Sequence, residues 1–313
     1  MKKVTKANII FTSLILVYMI MIFTVRLIPR QFINVDVLLV LPEVVFLVTA
    51  LVVERLIKST SIKDIGFGAI SIGTAIKSAG LALLCVPIIA ILSNLTSLIN
   101  GNAAEGAITR VIDKPMWLSL VIMALVPALV EEFVFRGILF SAYKKRNPFK
   151  GILLSAFLFG LMHLNINQFS YAFVLGIVFG FMAYATGSIW AGVLMHFVIN
   201  ADSVIKAYLL SNVDLNQIQQ NANQTTVDSP FLANIIAYGT IVVIALSCIA
   251  LGILLFANIC SHNRGLKSVT AILKKPLRTN YVDEGKYFDG YLIVGVGICI
   301  LYILYSDILV KFL

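Results

Sequence analysis

The sequence predicts an all-α, polytopic bundle of about eight or nine transmembrane helices. Of its 313 residues, 60% are hydrophobic and only 12% are charged, and the mean hydropathy is +0.97. Soluble globular chains have about 45–50% apolar and about 25% charged residues, so one water-soluble core cannot hide this much apolar surface. The composition argues against a soluble enzyme, a disordered protein and a secreted disulfide scaffold, and it indicates an integral membrane protein.

Nine stretches have the length that a membrane span needs, about 20 mostly apolar residues. They cover residues 8–25, 35–53, 78–99, 116–143, 148–164, 169–187, 189–205, 231–259 and 291–310. The first follows three lysines, as a signal peptide would, but no small-residue cleavage site follows it, so we interpret it as a retained helix. We expect one integral membrane domain over residues 1–313, with a motif-bearing core at about 116–205.

The distribution of basic residues predicts the topology. Lysine and arginine concentrate near the N-terminus and in the loops near 55–65, 144–150 and 260–289, which are alternate loops. The positive-inside rule places the N-terminus and these loops in the cytoplasm. Nine spans would then leave the C-terminus outside, in a protein whose hydropathy is typical of a bacterial inner membrane.

The net charge and the cysteines argue against a nucleic-acid partner and against a disulfide framework or zinc site. The net charge of +9 comes from basic loops that set topology and meet anionic lipid headgroups, with no aromatic–basic interleaving, so we expect no nucleic-acid partner. The four cysteines lie in or beside hydrophobic runs without CxxC spacing, which argues against a disulfide framework or cysteine-bound zinc.

A group of six polar or ionisable residues in three predicted spans stands out, because a charge inside a span costs about 2.5–3.5 kcal/mol even on the lenient insertion scale. They are Glu131, Glu132 and Arg136 in the fourth span, His163 in the fifth, and His196 and Asn200 in the seventh. At a helical rise of about 1.5 Å per residue, Glu131, His163, His196 and Asn200 can meet at one depth. Such a distribution asks for a functional reason.

The spacing of these residues suggests both structural and chemical roles. Glu132 and Arg136 are four apart and share a helix face, so we predict an ion pair that is chiefly structural. A buried carboxylate beside a second one suits general-base activation of water, and a histidine–asparagine pair can donate hydrogen bonds to an oxyanion. Pro127 is expected to kink the helix and open a wet cavity.

For each of these residues taken alone, a purely structural role competes with a functional one. An intramembrane histidine or asparagine is often only a hydrogen-bonding contact between helices. Glu43 has no recognisable partner in the sequence and is interpreted as structural or interfacial, and Gly176 and Gly180 predict close helix packing. The co-occurrence of the other polar residues on three spans favours function.

At these residues the chain resembles the CPBP family, which contains CAAX prenyl endopeptidases and bacteriocin-processing (Abi) proteins. The family pattern is EExxxR, FxxxH and HxxxN or HxxxD on successive membrane helices. The chain carries it as Glu131–Arg136, Phe159–His163 and His196–Asn200. The resemblance implies an intramembrane endopeptidase with a cavity reached from the cytoplasm. It further implies that Glu131 and His163 activate water, that His196 and Asn200 stabilise the oxyanion, and that Glu132 and Arg136 support the site.

Two questions stay open at this point. If a metal such as zinc is used, Glu131, His163 and His196 are its candidate ligands, but a metal-free glutamate mechanism fits equally well because HExxH spacing is missing. The expected partners are a peptide or membrane-protein substrate and the lipid bilayer. The alternative function is a non-proteolytic regulator or bacteriocin-immunity protein, for example one bound to a membrane sensor kinase.

Overall fold

The computed structural model describes residues 1–32, 34–100, 114–211, 230–274 and 285–308, and all regular structure in these ranges is helical. The helices are α1 (Lys3–Leu27), α2 (Val35–Ile57), α3 (Ile62–Ile65), α4 (Ile72–Asn100), α5 (Met116–Tyr143), α6 (Pro148–Leu161), α7 (Ile166–Thr186), α8 (Trp190–Ser211), α9 (Pro230–His262), α10 (Leu266–Lys274) and α11 (Gly290–Ile303). A short 3₁₀ turn, Arg30–Phe32, precedes α2, and a π-helical turn, Leu304–Ile308, extends α11.

The number of spans agrees with the prediction. Within the described ranges, eight helices are long and apolar enough to cross a membrane, and α6 is a shorter apolar helix. The predicted all-α bundle of about eight or nine spans is confirmed, and the chain is a multi-pass membrane protein. The fifth span is shorter than the predicted 148–164, because α6 ends at Leu161. The predicted end of the last span, 309–310, lies outside the described residues.

The predicted basic loops meet at one end of the bundle, which we call the basic end. Lys6 Nζ donates to the carbonyl oxygen of Lys58 at 3.0 Å, and Lys145 Nζ donates to the Asp64 carboxylate at 2.6 Å. Tyr287, in the loop before α11, packs its ring against Tyr143 at the end of α5. The part of the predicted basic loop at 275–284 lies outside the described residues. That the basic end faces the cytoplasm stays a prediction.

Two of the four apolar clusters in the described residues make up most of the core. The larger cluster joins α1, α2, α5, α6 and α11, and the second joins α4, α7, α8 and α9. Helices α6 and α7 approach closely, because a Cβ atom added at Gly176 would lie 2.9 Å from Ala156 and one added at Gly180 would lie 2.9 Å from Ile152. The predicted close packing at the two glycines is therefore confirmed.

Helix α5 is not uniformly α-helical. Its segments Val121–Leu125 and Phe133–Phe140 are π-helical, and Val126–Glu132 between them is α-helical. Pro127 comes two residues after the first π segment, so the wider turns there accommodate a residue that lacks a backbone N–H. The second π segment begins immediately after Glu132, at the level of the candidate site.

Candidate active site

Glu132 and Arg136 form the predicted ion pair in the interior of the bundle. Arg136 Nη1 lies 2.7 Å from Glu132 Oε1, and both side chains have an exposed fraction of 0%. A buried charge needs a partner of opposite charge with good geometry, and the carboxylate and the guanidinium are such partners for each other. The ion pair that the i, i+4 spacing predicts is confirmed, and it occupies one oxygen of Glu132.

Arg136 also ties α5 to α6 and α7. Its Nη2 donates to the carbonyl oxygen of Gly176 at 3.2 Å. Its guanidinium carbon lies 4.4 Å from the ring centre of Phe159 and 5.3 Å from that of Phe179, which are cation–π distances. The guanidinium group therefore has ring, carbonyl and carboxylate neighbours at once, and it holds three helices in register.

His196 lies beside both glutamates. Its Nε2 is 3.7 Å from Glu131 Oε2, and its Nδ1 is 3.5 Å from Glu132 Oε1. The imidazole ring stacks on Phe179 at 5.5 Å and 28°, and it meets the edge of Phe159 at 5.8 Å. Because the ring is fixed between two aromatic side chains, its two nitrogens are presented to two carboxylates that neighbour each other on α5.

The glycine one turn before His196 makes this approach possible. A Cβ atom built at Gly192 would lie 2.5 Å from Glu132 Oε2, well inside any real contact distance. The Glu132 carboxylate of α5 therefore packs directly against the backbone of α8 at Gly192, with no room for a side chain between them. The sequence analysis did not single out Gly192, although a small residue four positions before a site histidine is a usable signal.

His163 lies in a turn rather than in a helix. Helix α6 ends at Leu161, and His163 precedes Leu164, whose φ of 56° is uncommon for a non-glycine residue. The His163 Nδ1 lies 3.0 Å from the carbonyl oxygen of Phe159, and the imidazole meets the edge of the Phe159 ring at 5.3 Å. The prediction that His163 sits within a helical span is wrong, because the chain turns back at this depth.

The predicted constellation is thus brought together in part. Glu131, Glu132, Arg136 and His196 are in direct contact, whereas His163 meets the same Phe159 ring as His196 from another side. Asn200, half-buried, lies one turn beyond His196 on α8, and no hydrogen bond of its side chain is found in the described part of the chain.

Glu43 is the residue whose partner the sequence analysis missed. It comes from α2, and its carboxyl group is a neighbour of the Glu131 carboxyl group. Glu43 therefore adds a third carboxyl group to the site, from a helix earlier in the chain.

The residues present do not fit a metal site. Among the described residues, no group of three or more histidine, cysteine, aspartate or glutamate side chains is placed to hold a metal ion. Of the candidate ligands Glu131, His163 and His196, only the first and last are within ion-pair distance of each other. A zinc site needs three protein ligands at about 2.0–2.2 Å from one point. We therefore derive no step through a metal.

The fold and the site together define a multi-pass membrane protein with glutamate, arginine and histidine side chains buried between its helices. Residues 113–201 match the family described as type II CAAX prenyl endopeptidase Rce1-like. All six motif residues fall in this segment, so the resemblance to the CPBP family is confirmed there. The match covers less than a third of the chain, and the flanking helices lie outside it.

A curated relative supports the same assignment. The Bacillus subtilis (strain 168) protein named "Putative membrane peptidase YdiL" is 32% identical over 89 residues, which are 28% of this chain and 36% of that protein. The chain thus matches little more than a third of the length of that relative. No solved structure matches the chain significantly.

Proposed function

We propose that this protein is an intramembrane endopeptidase in which Glu131 is the general base. The proposal rests on the different surroundings of the two adjacent glutamates. Arg136 neutralises Glu132 at 2.7 Å, whereas no lysine or arginine of the described residues lies within ion-pair distance of Glu131. The Oε2 atoms of both glutamates lack a hydrogen-bond partner among the described residues, and that of Glu131 faces His196 Nε2 at 3.7 Å. A buried carboxylate oxygen without a partner is costly, and such groups concentrate at functional sites.

The proposed reaction is the hydrolysis of a peptide bond. Glu131 takes a proton from a water molecule, whose oxygen attacks the carbonyl carbon of the substrate. Hydrogen-bond donors meet the negative charge that develops on the carbonyl oxygen. The candidate donors are Asn200, one turn beyond His196 on α8, and His163, in the turn after α6, for which the family resemblance implies water activation instead. The proton then passes to the amide nitrogen as the C–N bond breaks.

His196 has a different role here from the one that the family resemblance implies. Because it contacts both glutamates, we assign it to orienting Glu131 and to moving the proton, rather than to the oxyanion alone. Glu43 adds a further carboxyl group beside Glu131. The substrate class is a peptide or membrane protein whose scissile bond reaches this depth of the bilayer.

The test compares Glu131→Gln with wild type in lipid nanodiscs. Both proteins are incubated with membranes from a cell that lacks the gene, and new peptide N-termini are counted by mass spectrometry. General-base catalysis contributes about 10²–10⁴ in rate, so new N-termini should fall at least ~100-fold in the variant. Glu54→Gln is the matched control, because Glu54 lies in the last turn of α2 at the basic end, where it accepts hydrogen bonds from Ser59 and Thr60.

The alternative function predicts a different result. If Glu131→Gln and His196→Ala both reach normal abundance and leave the N-terminal peptides and the cellular phenotype unchanged, the protein acts through partner binding. A membrane sensor kinase or a bacteriocin would then be the kind of partner to search for. If Glu54→Gln loses activity as fully as Glu131→Gln, the assignment of the base is wrong.

A further inference from the structure

A second site lies between α4, α7 and α9, outside the group of motif residues. A cavity of about 210 Å³ opens there, and every side chain that lines it is apolar. Leu81, Ile88, Phe181 and Phe256 are among its walls, together with the thiols of two cysteines, Cys85 and Cys248. An apolar cavity offers water no hydrogen bonds, so its natural occupant is a hydrocarbon group.

The mouth of the cavity faces the lipid side of the bundle. Ile249 and Ile253 line the cavity on α9 and yet are 40% and 62% exposed. Exposed isoleucines in the middle of a membrane-length helix face acyl chains. A chain can therefore enter sideways from the bilayer without crossing polar protein surface.

Two cations lie beyond the lining residues of the cavity, toward the basic end of the bundle. Lys77 precedes Leu81 by one helical turn on α4, and its Nζ donates to Asn258 of α9 at 2.5 Å. Arg264, just after α9, donates to the carbonyl oxygen of Tyr184 at 3.0 Å, and its guanidinium lies 4.3 Å from the centre of that ring. Tyr184 itself follows the cavity residue Phe181 by one turn on α7.

We propose that this cavity binds one acyl chain of an anionic phospholipid, whose phosphate group lies between Lys77 and Arg264. An apolar cavity with two cations beyond its lining toward the basic end matches a lipid in both of its parts, chain and headgroup. Basic pockets between transmembrane helices bind anionic headgroups for the same electrostatic reason. The lipid couples α4, α7 and α9, which pack on α8, the helix of His196. The site stands independently of the proposed proteolysis.

The experiment titrates the detergent-purified full chain with phosphatidylglycerol or with phosphatidylcholine of identical acyl chains. Native mass spectrometry counts bound lipids and gives an apparent Kd for each. Gly252→Leu fills the cavity, because a Cβ there lies 3.4 Å from Leu81 and the rest of the side chain extends into the space. Gly239→Leu is the matched control on the same helix, since nothing lies within 4 Å of its Cβ position.

A second pair of variants tests the headgroup without changing the cavity. Arg264→Gln should weaken phosphatidylglycerol binding about fivefold and leave phosphatidylcholine binding unchanged, since one basic residue near the surface contributes about that factor. Arg55→Gln, an exposed basic residue at the end of α2, is its control.

The expected pattern separates the two parts of the lipid. Gly252→Leu should raise the apparent Kd of both lipids at least about tenfold, and Arg264→Gln should reduce only the preference for phosphatidylglycerol. The proposal is overturned if Gly252→Leu binds both lipids as wild type does, if Gly239→Leu weakens binding equally, or if wild type shows no preference for phosphatidylglycerol. None of these readouts depends on peptide cleavage.

Discussion

The carboxylate of Asp307 accepts a hydrogen bond from the backbone N–H of Ile166 at 2.7 Å. Asp307 is 7% exposed and lies in the π-helical turn at the end of α11. Ile166 is the first residue of α7, directly after the turn that carries His163. A carboxylate at a helix N-terminus satisfies a free N–H and interacts favourably with the helix dipole. The end of the last helix, outside the matched segment 113–201, therefore anchors the start of α7, three residues after a motif histidine.

We expect Asp307→Leu to loosen the turn that holds His163. A hydrogen bond to a charged acceptor contributes about 1.5–3 kcal/mol, and leucine leaves the Ile166 N–H without it. Hydrogen exchange of amides 164–168 should become faster, and peptide cleavage should fall. Asp307→Asn keeps an acceptor oxygen and should retain most of the protection. Unchanged exchange in Asp307→Leu would show that the turn is held by Asn165 and the packing of Leu164 alone.

The stabilisation that the contact between Asp64 of the short helix α3 and Lys145 provides should depend on pH. Asp64, outside the membrane spans, is slightly buried, which opposes ionisation, but its hydrogen bond from Lys145 and the attraction of Lys145 and Lys3 lower its pKa from 3.8 to about 2. Because this pKa is below the unfolded value, the stabilisation is present above about pH 4 and disappears as the pH falls toward 2. Melting temperatures of wild type and Asp64→Asn should differ at pH 5 and converge near pH 2. A gap that persists at pH 2 contradicts the assignment.

Hydropathy and local spacing predict the parts of the structure that depend on nearby residues. The membrane-length helices follow from runs of apolar residues, and the Glu132–Arg136 ion pair follows from one helical turn of separation. The meeting of the basic loops at one end follows from their alternation along the chain. Each of these features is determined within one helix or by the regular reversal of direction between helices.

The remaining features depend on contacts and backbone conformations that the nearby sequence does not indicate. The contact between Glu43 and Glu131 joins α2 to α5, and nothing near Glu43 in the sequence indicates it. The π-helical segments of α5 reflect a shift in backbone hydrogen bonding that leaves no residue periodicity. The turn at Leu164 uses a left-handed φ without a glycine, so the apolar run into His163 looks helical in sequence.

Arg136→Ala should lower the amount of folded protein in the membrane. The substitution leaves the Glu132 carboxylate buried without its cation, which typically costs about 3–5 kcal/mol. Detergent-solubilised variants would be compared by fluorescence-detected gel filtration and by melting temperature. The double variant Arg136→Ala/Glu132→Gln removes the stranded charge and should recover part of the yield. If Arg136→Ala accumulates and melts like wild type yet is inactive, Arg136 takes part in the reaction directly.

The last prediction concerns the contact between Gly192 and Glu132. Gly192→Ala places a methyl group 2.5 Å from the present position of Glu132 Oε2, and Arg136 restrains that carboxylate from moving away. The overlap forces α8 outward or displaces Glu132 toward His196, at a typical cost of about 1–3 kcal/mol. We expect a lower melting temperature and strongly reduced cleavage.

Two further variants separate this contact from a general effect of removing a glycine. Gly297→Ala, in the interior of α11 with nothing within 4 Å of the added Cβ, should be neutral or stabilising by about 0.5–1 kcal/mol. Glu132→Asp in the Gly192→Ala background withdraws the carboxylate by one methylene and should restore part of the melting temperature. If Gly192→Ala matches wild type in both melting and cleavage, α5 and α8 are not in close contact at Glu132, and the placement of His196 between the two glutamates is wrong.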